Sequence, residues 1–143
     1  MPIPVRSYAH VRLTVTDIER SRAFYEKVFG LPVAHELPEH ADQTTREQLA
    51  WLDGGVVFAL GSCLLGLRPV AKDDSFDESR VGLDHLCLAV DSHEDLLAAA
   101  SILDELGVPR EQIKDIGPGF ILEFRDPDNI ALELFAASTA DHP

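Results

Sequence analysis

One pattern occurs twice in this chain, and it limits what the chain can fold into. Tyr8-Ala9-His10-Val11-Arg12-Leu13-Thr14-Val15-Thr16 and Gly82-Leu83-Asp84-His85-Leu86-Cys87-Leu88-Ala89-Val90-Asp91 each place a histidine ahead of alternating residues. Period-two alternation predicts a β-strand in both places. Val11, Leu13 and Val15, like Leu86, Leu88 and Val90, then turn to one face. His10, Arg12 and Thr14 turn to the other in the first copy, and His85, Cys87 and Ala89 in the second.

The segments after these two strands repeat as well. In the first copy a helix runs from Asp17 to Gly30, capped by Thr16 or Asp17 and stopped by Gly30 and Pro32. Its apolar stripe is expected to begin at Ile18 and continue through Ala23 or Phe24, then Lys27 or Val28. Strands are expected over 33–37, 56–60 and 63–68, with the polar stretch 38–48 read as a loop. In the second copy Ser92 caps a helix through Leu106, with Leu96, Leu97, Ala100, Leu103 and Leu106 expected on its buried side. Gly107 and Pro109 end it as Gly30 and Pro32 end the first. A weak strand near 112–116, a turn at Gly117-Pro118-Gly119, a strand over 120–125, a turn at Asp126-Pro127-Asp128-Asn129 and a last strand over 130–136 complete the copy. Gly30 and Gly107 stand two residues further apart than the two histidines, so the second helix region carries two extra residues. The chain is therefore read as one α+β domain over 1–143, made of two tandem β-α-β-β-β modules (about 8–68 and 82–137). A polar linker spans about 69–81, and 139–143 forms a frayed tail.

Composition narrows the function classes. A net charge of −13 opposes non-specific nucleic-acid binding, which depends on clustered Lys and Arg, and favours a cationic ligand if it favours any. No apolar run approaches the roughly 18 residues that span a bilayer. The N-terminal sequence lacks the apolar core of a signal peptide, and the two cysteines make no disulfide framework. A cytoplasmic protein with reduced thiols, no membrane partner and no nucleic-acid partner is expected.

The last expected strand sets Glu133 among apolar neighbours, where an unpaired carboxylate is costly to bury. If its leucines pack on the helix, Glu133 faces the same side as His10 and His85. Two imidazoles and a carboxylate on neighbouring strands suit a divalent transition metal. Read singly, each residue is better explained as a hydrogen-bonded histidine or an exposed edge glutamate; their occurrence at equivalent points of a repeat is what favours a metal. Arg12 and Cys87 lie two residues beyond the histidines, on the same strand faces. Arg12 is a candidate for a substrate carboxylate or for pairing with Glu123 or Glu133, and Cys87 for a small wall of the site. Trp51, and less so Phe58, is a candidate for an apolar pocket. Glu123 is a candidate general base if it faces the site.

The paired modules, the histidine opening each, and Phe124-Arg125-Asp126-Pro127-Asp128-Asn129-Ile130-Ala131-Leu132-Glu133-Leu134 resemble the vicinal oxygen chelate superfamily over nearly the whole chain. This is the group of glyoxalase I, extradiol dioxygenases, fosfomycin-resistance enzymes, methylmalonyl-CoA epimerase and the bleomycin-binding proteins. The resemblance implies a cupped mixed sheet with helices outside, a homodimer, and one divalent metal ion (Fe, Mn, Zn, Ni or Co) on His10, His85 and Glu133. Gly66 falls opposite Glu133 in the repeat, where glyoxalase I has a fourth protein ligand, so four-ligand glyoxalase chemistry is disfavoured. Glu123 stands where extradiol and fosfomycin enzymes commonly have a tyrosine. No histidine occurs in 113–122, and Ile116-Gly117-Pro118-Gly119-Phe120 supplies no phosphonate-binding polar group. The resemblance thus implies a metal-dependent lyase, isomerase, epoxide-opening enzyme or dioxygenase acting on a small oxygen-bearing substrate. The alternative is a bleomycin-resistance-like protein that sequesters a cationic antibiotic without chemistry.

Overall fold

The computed structural model describes residues 1–138, so the expected tail at 139–143 lies outside the described residues. The chain divides into two compact units, Met1–Asp74 and Ser75–Pro143.

The first unit runs β1 (His10–Thr14), α1 (Ile18–Phe29), β2 (Val33–His35), α2 (Gln43–Gln48), a 3-10 turn (Ala50–Leu52), β3 (Val56–Leu60) and β4 (Cys63–Arg68). Its four-stranded mixed sheet has the order β1-β4-β3-β2, with β1 parallel to β4 and the other pairs antiparallel. The second unit runs β5 (Leu86–Val90), α3 (His93–Glu105), β6 (Lys114–Asp115), β7 (Gly119–Arg125) and β8 (Ala131–Ala137). Its sheet has the corresponding order β5-β8-β7-β6, with β5 parallel to β8. The α+β class and the repeated β-α-β-β-β order are therefore observed, with α2 and the 3-10 turn added to the first unit.

Local chemistry accounts for the helix ends. Asp17 caps α1 by accepting from the Arg20 amide, and Gly30 closes it in the left-handed region at φ 61°, which costs a glycine little. Ser92 caps α3 by accepting from the Asp95 amide.

Several expectations need correction. The loop expected over 38–48 contains α2, capped by Asp42, whose side chain accepts from the Thr45 amide. That helix is entirely polar, and a Gln43–Glu47 hydrogen bond supports it one turn on, so apolar periodicity could not reveal it. The buried face of α1 is Ser21 and Tyr25, one turn apart, while Ala23 is exposed. Small Ser21 lets the helix sit close, and Tyr25 supplies the bulk. On α3, Leu96, Ala100 and Leu103 are buried, but Leu97 and Leu106 are exposed, being rotated off that stripe. His85 immediately precedes β5 instead of lying in it.

Each core forms between a helix and one sheet face. Leu13, Val15, Phe58, Leu65 and Leu67 are buried in the first unit, and Leu122, Phe124, Leu132 and Leu134 in the second. The opposite sheet face carries Glu123 and Glu133 in the second unit, and Val57 and Gly66 at the same positions in the first. In the second unit Asp126 fixes the turn into β8, its carboxylate accepting from the Asp128 and Ile130 amides at 2.8 Å each. Residues 76–78 are fastened to this unit: the Phe76 amide donates to the Asp128 carbonyl, and Arg125 grips Glu78.

Candidate functional site

The register of the second unit assembles its polar face. Glu123 on β7 pairs with Glu133 on β8, and Glu133 pairs with Cys87 on β5. Paired residues on adjacent strands share a face, so the three side chains form a row, and His85 stands two residues before Cys87. Two carboxylates directly opposite each other repel unless cations intervene. Lys114 Nζ lies 3.2 Å from Glu123 Oε1, and His85 Nε2 lies 3.4 Å from Glu133 Oε2. The Glu133 side chain is only 15% exposed. Its other oxygen accepts from the Cys87 thiol at 3.7 Å.

Asp84 orients this arrangement. Its Oδ1 is 2.6 Å from His85 Nδ1, which directs Nε2 toward Glu133. The hydrogen bond from Asp84 raises the His85 pKa, the nearby Glu133 charge adds to the rise, and partial burial opposes both. Burial, then the neighbouring Glu133 charge, pushes the Cys87 thiol up to about 11. The Cys87 thiol is thus protonated at neutral pH, which disfavours it as a nucleophile. A pocket of about 260 Å³ opens over the row, lined by Asp84, His85, Glu123, Arg125, Glu133 and others. Arg125 holds Glu78, also on this pocket, through two bonds of 2.7 and 3.0 Å, and that pairing lowers the Glu78 carboxyl to about 2.

The donor set of this half-site fits a divalent metal ion. Two ligands bound at roughly 2.0–2.2 Å to one ion in neighbouring positions stand about 3.0–3.4 Å apart. His85 Nε2 and Glu133 Oε2 meet that condition at 3.4 Å, one neutral-capable imidazole and one carboxylate, with the second imidazole nitrogen held by a carboxylate as metal-binding histidines commonly are. Among the described residues, no group of three or more His, Cys, Asp or Glu side chains stands ready to hold an ion by itself.

The first unit uses the equivalent positions differently. Arg12 on β1 pairs with Gly66 on β4 as Cys87 pairs with Glu133, and Val57 pairs with Gly66 as Glu123 pairs with Glu133. A Cβ at Gly66 would stand 3.0 Å from Arg12 Cγ, so the Arg12 stem occupies the place a side chain there would need. The Arg12 guanidinium donates to the Trp51 and Leu52 carbonyls at 2.8 and 3.0 Å and lies 3.9 Å from Asp53. Its Cζ stands 5.8 Å from the Trp51 ring centroid. Its partners within this unit are thus backbone carbonyls and Asp53. A pocket of about 240 Å³ is lined by His10, Arg12, His35, Trp51, Val57, Leu64 and the Gly66 backbone. Trp51 lies on it, whereas Phe58 is wholly buried in the core.

The expected residues are therefore brought together in two sets: His85, Cys87, Glu123 and Glu133 in one unit, and His10, Arg12 and Trp51 in the other. Asp84, Glu78 and Arg125 were not anticipated. Asp84 adjoins His85 in sequence, the one signal that could have found it. The Glu78–Arg125 pair joins distant positions and leaves none.

The family model for the Glyoxalase/Bleomycin resistance protein/Dioxygenase superfamily matches residues 7–134. The chain belongs to this superfamily. Among curated proteins, the uncharacterised protein YwkD of Bacillus subtilis (strain 168) is 30% identical over 134 residues, covering 92% of this chain and 97% of that protein. The glyoxylase/bleomycin resistance protein/dioxygenase domain from Frankia sp. EAN1pec superposes with a TM-score of 0.76 at 28% identity, covering 96% of each chain. A mutant of the fosfomycin resistance protein FosX from Listeria monocytogenes, complexed with Mn(II) and a dihydroxypropylphosphonic acid, has a TM-score of 0.69 at 18% identity, covering 97% of this chain and 96% of that one. At that identity the likeness shows the fold alone. Superfamily membership agrees with the duplicated sheets, and no described helix is long and apolar enough to cross a membrane.

Proposed function

We propose that this superfamily member is a metal-dependent enzyme that moves a proton on a small oxygen-bearing substrate, as an isomerase or a lyase does. The observation that carries the reading is the Asp84–His85–Glu133 arrangement with Glu123 directly beside it. His85 and Glu133 would hold the ion, and His10, at the equivalent place of the other repeat, is proposed as the third donor. A bound Fe, Mn, Zn, Ni or Co ion would polarise a substrate oxygen and acidify the adjacent C–H. Glu123 is proposed as the base that accepts that proton, with Lys114 holding its carboxylate in position. Cys87 closes the wall beside Glu133. The absence of histidine from 113–122 disfavours the dioxygenase alternative. A homodimer is proposed with this reading, to be checked by sedimentation.

Five carboxylates, from Glu78, Asp84, Glu111, Glu123 and Glu133, line the same pocket. That favours a second reading, sequestration of a cationic drug as the bleomycin-binding relatives do. Elemental analysis separates the two. Protein loaded with each of the five metals in turn and then dialysed is expected to retain about one equivalent of at least one of them. His85→Ala and His10→Ala are expected to lose it. Wild-type protein that retains no metal after every loading contradicts the enzymatic reading and leaves the sequestering one.

A further inference from the structure

The pocket of the first unit differs in kind from that of the second. Among the described residues no carboxylate side chain lines it, and its walls include the Trp51 indole, Val57, Leu64 and the imidazoles of His10 and His35. Its one permanent charge, Arg12, donates from Nη2 to two backbone carbonyls and lies 3.9 Å from Asp53, while its Nε is buried with no hydrogen-bond partner among the described residues. A cationic ligand group would meet that guanidinium. Trp51 is 47% exposed although it belongs to a concave surface, and the His35 ring meets it edge-on at 5.7 Å and 72°. A large ring left half-bare within a pocket is an unfilled stacking surface. The volume of about 240 Å³ suits one six-membered ring with a short substituent, since a cavity of about 150 Å³ admits benzene.

We infer that this pocket binds a non-cationic aromatic ring, stacked against Trp51 and contacted by His35. The inference rests on the enzymatic reading only where it calls that ring part of the substrate. The repeat positions explain why such a site exists in this unit. Val57 stands where the other unit has Glu123, and Gly66 where it has Glu133, so the strand face that is acidic in one copy is apolar in the other. Arg12 acts here as a positioning residue: it ties the backbone at Trp51 and Leu52 to β1 and so sets the indole at the rim of the pocket.

Trp51 is the only tryptophan of the chain, so its fluorescence reports this site directly. Protein treated with EDTA would be titrated with benzyl alcohol, benzoate and benzylammonium, probes of one ring and three charges. Benzyl alcohol and benzoate are expected to give a saturable change in the millimolar range, with benzylammonium at least about tenfold weaker than either. His35→Ala should weaken benzyl alcohol severalfold. In Trp51→Ala, ligand-observed NMR should detect no benzyl alcohol binding while circular dichroism shows the fold retained. No saturable response to benzyl alcohol or benzoate, or equal or tighter binding of benzylammonium, overturns the proposal. Because the metal is removed beforehand, that failure is independent of the metal reading, which elemental analysis of the same preparation decides separately.

Discussion

The two sheets hold the same positions and put opposite chemistry on them. Arg12 corresponds to Cys87, Val57 to Glu123, Gly66 to Glu133 and Phe58 to Phe124, each pair fixed by matching register, and His10 and His85 stand two residues before the first of these pairs. On the helix side the copies agree, both phenylalanines being buried. On the other side one copy is acidic and hydrogen-bonded, and the other apolar and closed by an arginine stem. Duplication supplies a scaffold, and divergence is tolerated where side chains leave the core. In the second copy this face carries a histidine–carboxylate pair, whereas the first keeps the histidine and surrounds it with Trp51, Val57 and Leu64.

The shared scaffold gives the largest expected effect. Phe58→Ala and Phe124→Ala should each cost about 3–5 kcal/mol in chemical denaturation, as truncation of buried aromatics does. A cost that is large in one unit and negligible in the other would break the equivalence. The divergent pair comes next. Arg12→Met removes two hydrogen bonds from a charged group and should cost about 1.5–3 kcal/mol, while Cys87→Ala, at the equivalent place, should cost less than about 1 kcal/mol. The same denaturation curves would show it. Asp84→Asn is expected to weaken metal binding about 10–100-fold in calorimetric titration with little change in stability, because it loosens the imidazole without touching the ligands. Its counterpart Ala9 offers no such support to His10.

The smallest effect is on acid stability. Arg125 lowers the Glu78 carboxyl from its ordinary 4.5 to about 2 in the folded protein. A depressed carboxyl stabilises the fold fully above 4.5, and that contribution fades as pH falls toward 2 and Glu78 takes up its proton. Wild-type stability should therefore fall more steeply than that of Glu78→Gln between pH 4.5 and 2. Parallel curves in that window would show that the pair contributes nothing to acid stability.

Much of this was legible in the sequence, for identifiable reasons. Alternation at Val11, Leu13 and Val15 marked β1, Asp17 and Gly30 marked the ends of α1, and β3 and β4 have the bounds their apolar runs suggest. Aligning the repeats set Gly66 against Glu133, and the register bears this out. The misses share one cause, since they rest on polar or tertiary contacts that leave no periodic signal. Helix α2 is held by Asp42 and a Gln–Glu pair without an apolar face. Leu97 and Leu106 fit a helical stripe only loosely, and packing chose Leu96, Ala100 and Leu103 instead. Arg12 was placed on the correct face, but its partners, carbonyls about forty residues away, are invisible until the chain folds.

In the proposed site Glu133, with His85 and His10, holds a metal ion while Glu123 beside it accepts the substrate proton. Metal affinity measured by calorimetric titration for the wild type, Glu133→Gln and Glu123→Gln tests it most directly. Glu133→Gln should lose measurable binding, and Glu123→Gln should keep affinity within about threefold of wild type. Equal loss in both variants, or wild-type affinity in Glu133→Gln, would contradict the assignment of the ion to Glu133.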